Sequence, residues 1–115
     1  MSMPRDVDYV RDMLEAASKI QAFIADFELE QFIADERTNL AVIRLIEMIG
    51  EAASHVSAEF RAAHPTVPWR DTINTRNRLI HGYRTVRLDI VWKTVVEDIP
   101  ALIARLAALL PPEEE

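Results

Sequence analysis

The sequence predicts an all-α fold, an antiparallel bundle of four to five helices forming one domain over residues 1–115. Three observations predict it. Apolar residues recur at three- and four-residue spacing over long stretches, the mark of helices with one buried face. Hydrophobic residues make up 50% of the 115, enough to build a core. Only 2 residues are glycine and clusters of turn residues are few, which disfavours a sandwich or a barrel.

The first helix is expected over residues 5–27, where Val7, Val10, Met13, Leu14, Ala17, Ile20, Ile24 and Phe27 make one apolar stripe. Glu28 to Arg37 is charged and interrupted by Phe32 and Ile33, so it reads as a connection or a short helical turn. A second long helix is expected from about Thr38 to Ala62, with Thr38 as N-cap. Its buried side would be Leu40, Ile43, Ile46, Ile49, Ala53, Val56 and Phe60. Gly50 lies inside this helix, where glycine costs about 1 kcal/mol relative to alanine. Close approach of another helix would compensate.

His64-Pro65-Thr66-Val67-Pro68 should end that helix, because proline disfavours helical geometry in the residue before it. A short helix from about Trp69 to His81 follows, with Gly82 placed to close it in a left-handed cap. The last helix covers about Leu88 to Leu110, burying Val91, Trp92, Val95, Ile99, Leu102, Ile103 and Leu106. Pro100 should kink or restart it near Asp98, since proline removes a hydrogen bond and clashes with the preceding turn. Residues 111–115, Pro-Pro-Glu-Glu-Glu, read as a frayed acidic tail.

Composition narrows the chemistry. The chain has no cysteine, which removes disulfides, thiolate metal sites and cysteine nucleophiles and fits a reducing cytoplasm. The start lacks the order of a signal peptide, and no apolar run approaches the ~20 residues that span a bilayer. His55 and His64 have no ligand spacing to His81, so no metal site is expected. No phosphate-binding loop and no nucleophile-elbow serine are present, and no cofactor is expected. The net charge is −6, which taken alone disfavours nucleic acid. Its distribution is uneven, however. Between Arg61 and Lys93 seven basic residues meet two acidic ones, a local +5, and the rest of the chain carries −11. A positive zone on an acidic body suits a focused anion site.

Arg76-Asn77-Arg78-Leu79-Ile80-His81-Gly82-Tyr83 concentrates the chemistry within that zone. Asn77 and His81, four apart, would share a helix face, so Asn77 could hold the imidazole in one tautomer. Arg76 and His81 are five apart, roughly 140° around an ideal helix. They converge only if the helix loosens near His81, a freedom Gly82 supplies. Histidine suits proton transfer, with an unperturbed pKa of about 6.5. Arginine stays charged and presents a planar fork that matches phosphate oxygens. Arg78, Arg84 and Arg87 are candidate contacts to a phosphate backbone, and Glu51 is a candidate carboxylate to orient an arginine. Trp69 and Trp92 fit core positions better than base-stacking platforms. The bland reading is equally concrete: Arg and His at a helix end satisfy free carbonyls, and Tyr83 packs with its hydroxyl on a carbonyl.

Read as R-x-x-x-x-H-x-Y, residues 76–83 resemble the signature of the HEPN superfamily. The surrounding pattern is similar, more narrowly, to HepT-like toxins paired with MNT-type nucleotidyltransferase antitoxins. The likeness runs in order through Ala41-Val42-Ile43-Arg44, Ile49-Gly50-Glu51-Ala52-Ala53, Val67-Pro68-Trp69, Arg76-Asn77, His81-Gly82-Tyr83, Ile90-Val91-Trp92 and Asp98-Ile99-Pro100-x-Leu102. It covers roughly residues 25–110. The resemblance implies a helical bundle that cleaves RNA without metal, as the toxin of a type II/VII-like toxin–antitoxin pair. It implies Arg76 and His81 as the catalytic pair, with Asn77 in support. Because one histidine is thin for acid and base together, a homodimer is expected to supply a second motif. Tyr83 would receive AMP from the nucleotidyltransferase partner, and that modification would neutralise the toxin. Two non-catalytic alternatives stand beside this reading. In one, a helical subunit binds a nucleotidyltransferase, with 76–83 as docking surface and AMP acceptor. In the other, the chain is a plain dimerisation module.

Overall fold

The computed structural model describes residues 4–81 and 85–111, without the side chains of Pro4, Arg76, Arg78, Ile80, His81 and Thr85. Seven helices account for most of these residues: α1 (Pro4–Ile24), α2 (Leu29–Ala34), α3 (Glu36–His55), α4 (Ala58–Ala63), α5 (Trp69–Leu79), α6 (Leu88–Glu97) and α7 (Ile99–Leu109). A two-residue antiparallel pairing, β1 (Ile80–His81) with β2 (Thr85–Val86), sits between α5 and α6. The all-α class holds, but the expected four to five helices become seven because two long ones each divide.

α1 and α3 form the central pair, α5 packs on α3, and α7 packs on α1. α6 lies against α7 and α2. Val10, Met13, Ala17 and Ile20 of the predicted α1 stripe are fully buried. Fully burying a side chain such as Met13 or Ile20 stabilises the fold by roughly 1.5–3 kcal/mol. The stripe of α3 is rotated from the expected one. Val42, Leu45, Ile46, Ile49, Ala52 and Ala53 are buried, whereas Leu40 is 58% exposed. Apolar residues occupy more than one side of α3, so spacing alone leaves two choices. The helices packed against α3 select between them.

The stretch after α1 is more structured than its charge suggested. Gln31 reaches back so that its Oε1 accepts from the Glu28 backbone N–H at 2.8 Å, starting α2. Phe32 is fully buried and meets Trp92 of α6 with ring centroids 5.3 Å apart. Asp35, rather than Thr38, is the N-cap of α3: its carboxylate accepts from the Thr38 N–H at 3.3 Å. Asn39 is buried and donates from Nδ2 to the carbonyls of Phe32 and Ile33 at 3.1 and 3.4 Å. It satisfies carbonyls that the end of α2 leaves without helical partners.

The second long helix breaks at Val56, whose backbone is extended (φ −68°, ψ 136°), and restarts as α4. Ser57 caps α4, its Oγ accepting from the Phe60 N–H at 3.1 Å. The break is held from a distance. Asp6 of α1, 2% exposed, accepts from the Ser57 N–H and from Ser57 Oγ, each at 2.8 Å. The last helix divides at Asp98 as expected, with Pro100 in the first turn of α7, where its missing N–H is not needed. No helix among the described residues is long and apolar enough to cross a membrane.

Candidate active site

α5 carries the first half of the motif, and its start is fixed by α4 and the loop between them. The Trp69 indole is 7% exposed, donates from Nε1 to the His64 carbonyl at 2.9 Å, and stands edge-on to Phe60 at 6.4 Å. Trp69 is thus a core residue, and half-buried Trp92 packs against the same core. His64 lies tilted against Phe60 with ring centroids 4.4 Å apart, and His55 stacks on Tyr9 at 5.3 Å. Among the described residues no cluster of three or more histidines and carboxylates is placed to hold a metal ion.

The inner face of α5 is mixed. Thr72, Thr75 and Leu79 are buried, and Thr75 Oγ1 donates to the Asp71 carbonyl at 2.7 Å. Two small threonines bring the α5 backbone close to α3. Gly50 faces that backbone: a Cβ there would lie 3.4 Å from the Thr72 carbonyl oxygen and 3.5 Å from that of Ile73, at contact, which leaves room for a methyl but for little more. The helix expected to approach closely at this glycine is therefore α5. Arg76 follows Thr72 and Ile73 by four and three residues, so its backbone position is on the side of α5 that Gly50 seats.

α5 ends at Leu79, two residues before His81. The Arg87 N–H donates to the Leu79 carbonyl at 3.2 Å, and Ile80 and His81 pair with Val86 and Thr85. A returning strand meets the chain where α5 stops, and Gly82, the expected cap, lies outside the described residues. Ile80 is β-branched and favours extended backbone. Two expectations change in consequence. Asn77 is exposed on α5, but His81 is no longer its i+4 helical neighbour. In addition, the 140° helical separation of Arg76 from His81 does not apply, because a helix–strand junction lies between them. Loosening before His81 was the condition for their convergence.

The side chains of Arg76, Arg78 and His81, and all of Gly82, Tyr83 and Arg84, lie outside the described residues, as does the tail from residue 112. Glu51 is exposed on α3 and lines a crevice of about 390 Å³ with Arg44, Glu47, Gly50, Ser54 and Ile73. It stands beside the glycine that seats α5. Arg87 forks onto Asp89, from Nε to Oδ1 at 3.2 Å and from Nη2 to Oδ2 at 2.9 Å. That hydrogen bond holds the Asp89 carboxyl below the usual carboxylate range and raises the Arg87 guanidinium. Both groups are exposed, so solvent screens the pair. Sequence reasoning counted Arg61 and Arg70 only within the basic zone and did not single out Asn74; all three line a groove between α4 and α5. The available signal was the four- and three-residue spacing of Arg70, Asn74 and Asn77.

The family model described as "Ribonuclease HepT-like" matches residues 13–109. The chain belongs to the HepT-like ribonuclease family. It is 41% identical over 102 residues to a Thermococcus cleftensis protein named "Probable ribonuclease HepT", covering 89% of this chain and 93% of that one. It is 38% identical over 99 residues to a Methanocaldococcus jannaschii protein provisionally named an RNase, covering 85% and 91%. A Caldanaerobacter subterraneus protein, also provisionally named an RNase, is 32% identical over 114 residues, covering 99% and 100%. No solved structure gives a significant match.

Proposed function

We propose that this chain is a metal-independent endoribonuclease acting in the cytoplasm as the toxin of a type II/VII-like toxin–antitoxin pair. The observation that carries the reading is the helix–strand junction inside the motif: Arg76 sits on the last turn of α5 and His81 on the strand that follows. Membership of the HepT-like family supports the choice of RNA.

The reaction forms a bond from the RNA 2′-oxygen to the adjacent phosphorus and breaks the bond from phosphorus to the 5′-oxygen. It leaves a 2′,3′-cyclic phosphate and a free 5′-hydroxyl. The 2′-hydroxyl proton must leave and the 5′-oxygen must gain one, and His81 is the group suited to move protons near neutral pH. Arg76 clamps the phosphate and stabilises charge that builds on its oxygens in the transition state. Asn77 supports this pair, and Glu51 orients an arginine of α5 across the crevice. One histidine is thin for both proton transfers, so a homodimer joining two motifs in one cleft supplies a second set. Exposed Phe23, Ile33, Leu40 and Met48 offer apolar surface for such an association.

AMP transferred to the Tyr83 hydroxyl by a nucleotidyltransferase antitoxin would neutralise the toxin. A bulky anion two residues from His81 blocks the cleft and repels RNA phosphate. The test uses unaltered protein and His81→Ala, each confirmed unmodified at Tyr83 by intact mass, on end-labelled RNA in excess chelator. Cleavage by the unaltered protein alone, with cyclic-phosphate ends, is expected. No cleavage by either shifts the function to a non-catalytic subunit that docks a nucleotidyltransferase.

A further inference from the structure

The groove between α4 and α5 has an open volume of about 930 Å³ and is lined by Ala58, Arg61, Ala62, Pro68, Arg70 and Asn74, among others. The small side chains of Ala58 and Ala62 leave its α4 wall low. Arg61 is half-buried and fixed, its Nε donating to the Val56 carbonyl at 3.1 Å. A guanidinium has five donor hydrogens, so this bond holds the fork while leaving its end nitrogens for an acceptor. Arg70 is exposed on the facing helix. Among the described residues no ion pair engages Arg61 or Arg70. Asp71 also lines the groove and is itself engaged.

The groove continues toward the motif. Arg70, Asn74 and Asn77 are exposed and follow one another by four and three residues, which places them on one face of α5. At 1.5 Å of rise per residue this stripe is ~10 Å long, and it ends beside the helix–strand junction. The stripe offers one permanent cation followed by two carboxamides, and Arg61 of α4 adds a second cation across the groove, together a set of donors for anionic oxygens. The body of the protein is strongly acidic, so an anionic polymer is repelled elsewhere and attracted here. Trp69 is buried, which leaves no exposed indole in the groove for base stacking. Interactions of this kind fix the position of a strand without reading its bases.

We infer that the α4–α5 groove is a phosphate track, in which Arg61, Arg70 and Asn74 hold the RNA backbone adjoining the scissile bond and lead it along Asn77 to Arg76 and His81. The inference rests on the ribonuclease reading above and adds the direction from which the strand enters.

The experiment measures the salt dependence of binding to a single-stranded 2′-O-methyl RNA, which lacks the attacking hydroxyl. Removing one cation that neutralises a phosphate should make the slope of log K against log salt shallower by about 0.7. Arg70→Gln should therefore lower the slope by about that amount and Arg61→Gln with Arg70→Gln by about twice it. Arg70→Lys should restore it. Arg70→Gln alone decides the matter if the double variant melts early, since Arg70 makes no hydrogen bond among the described residues that the fold needs. An unchanged slope in Arg70→Gln, with RNA still bound and cut, overturns the track and leaves the ribonuclease reading standing. Equal competition by poly-glutamate also overturns the track, because it would show a general anion surface. Failure of the unaltered protein to bind any RNA overturns both.

Discussion

α3 meets its two main neighbours in different ways. Against α1 it uses side chains, in an interface where Val10, Met13, Ala17 and Ile20 are buried with Val42, Leu45 and Ile49. Against α5 it presents Gly50, where the α5 backbone comes close enough to leave room for a methyl but for little more. The first interface holds the fold together by buried area. The second sets where α5 lies, and with it the positions of Arg76 and Asn77. A side-chain interface responds to a loss of volume by losing stability. A backbone interface responds to added volume by moving what it carries.

Breaking the first interface should have the largest effect on stability. Met13→Ala removes a fully buried side chain from α1 and should lower stability by about 2–5 kcal/mol, read from urea unfolding. RNA cleavage per folded molecule should stay the same. If cleavage fell in step with side-chain volume at position 13, the division between body and site would be wrong. Asp6→Ala tests the bridge from α1 to the start of α4. It strands the Ser57 N–H and hydroxyl that now have a partner, and should lower stability by about 1–3 kcal/mol.

Gly50→Val attacks the second interface. Overpacking of this kind costs about 1–3 kcal/mol, and the expected result is loss of RNA cleavage at temperatures where circular dichroism still reports a folded protein. Retained cleavage would mean that α5 is not held by α3. Gly50→Ala sharpens the point from the other side. Its methyl falls at an ordinary van der Waals distance from the Thr72 and Ile73 carbonyls, and alanine favours the helix by up to about 1 kcal/mol. Its melting temperature should be unchanged or slightly raised.

The smallest effect is expected at the Arg87–Asp89 pair. The Asp89 carboxyl is depressed, so the pair's contribution is present above the ordinary aspartate range and fades as pH falls through the lowered value. In Arg87→Ala, a carboxyl carbon titration should show Asp89 returning toward its usual range. Asp89→Asn should leave the melting temperature nearly unchanged and free Arg87, steepening the salt dependence of RNA binding.

The sequence by itself determined the all-α class, the buried faces of α1, α6 and α7, the break at Asp98 before Pro100, the close approach at Gly50 and the motif at 76–83. These follow from local rules: period, proline chemistry, glycine size and side-chain type. Tertiary structure decided the rest. Leu40 lies outward because neighbouring helices choose one of two apolar sides of α3, a choice that spacing does not encode. The break at Val56 depends on Asp6, 51 residues away from Ser57 in sequence, and no local pattern announces such a bond. α5 stops at Leu79, whose carbonyl accepts from the Arg87 N–H just past the returning strand, so the helix ends before His81 where the sequence suggested that it runs to His81. Burial and pairing between distant segments fix these features, because a buried polar group must find its partner wherever the fold brings one.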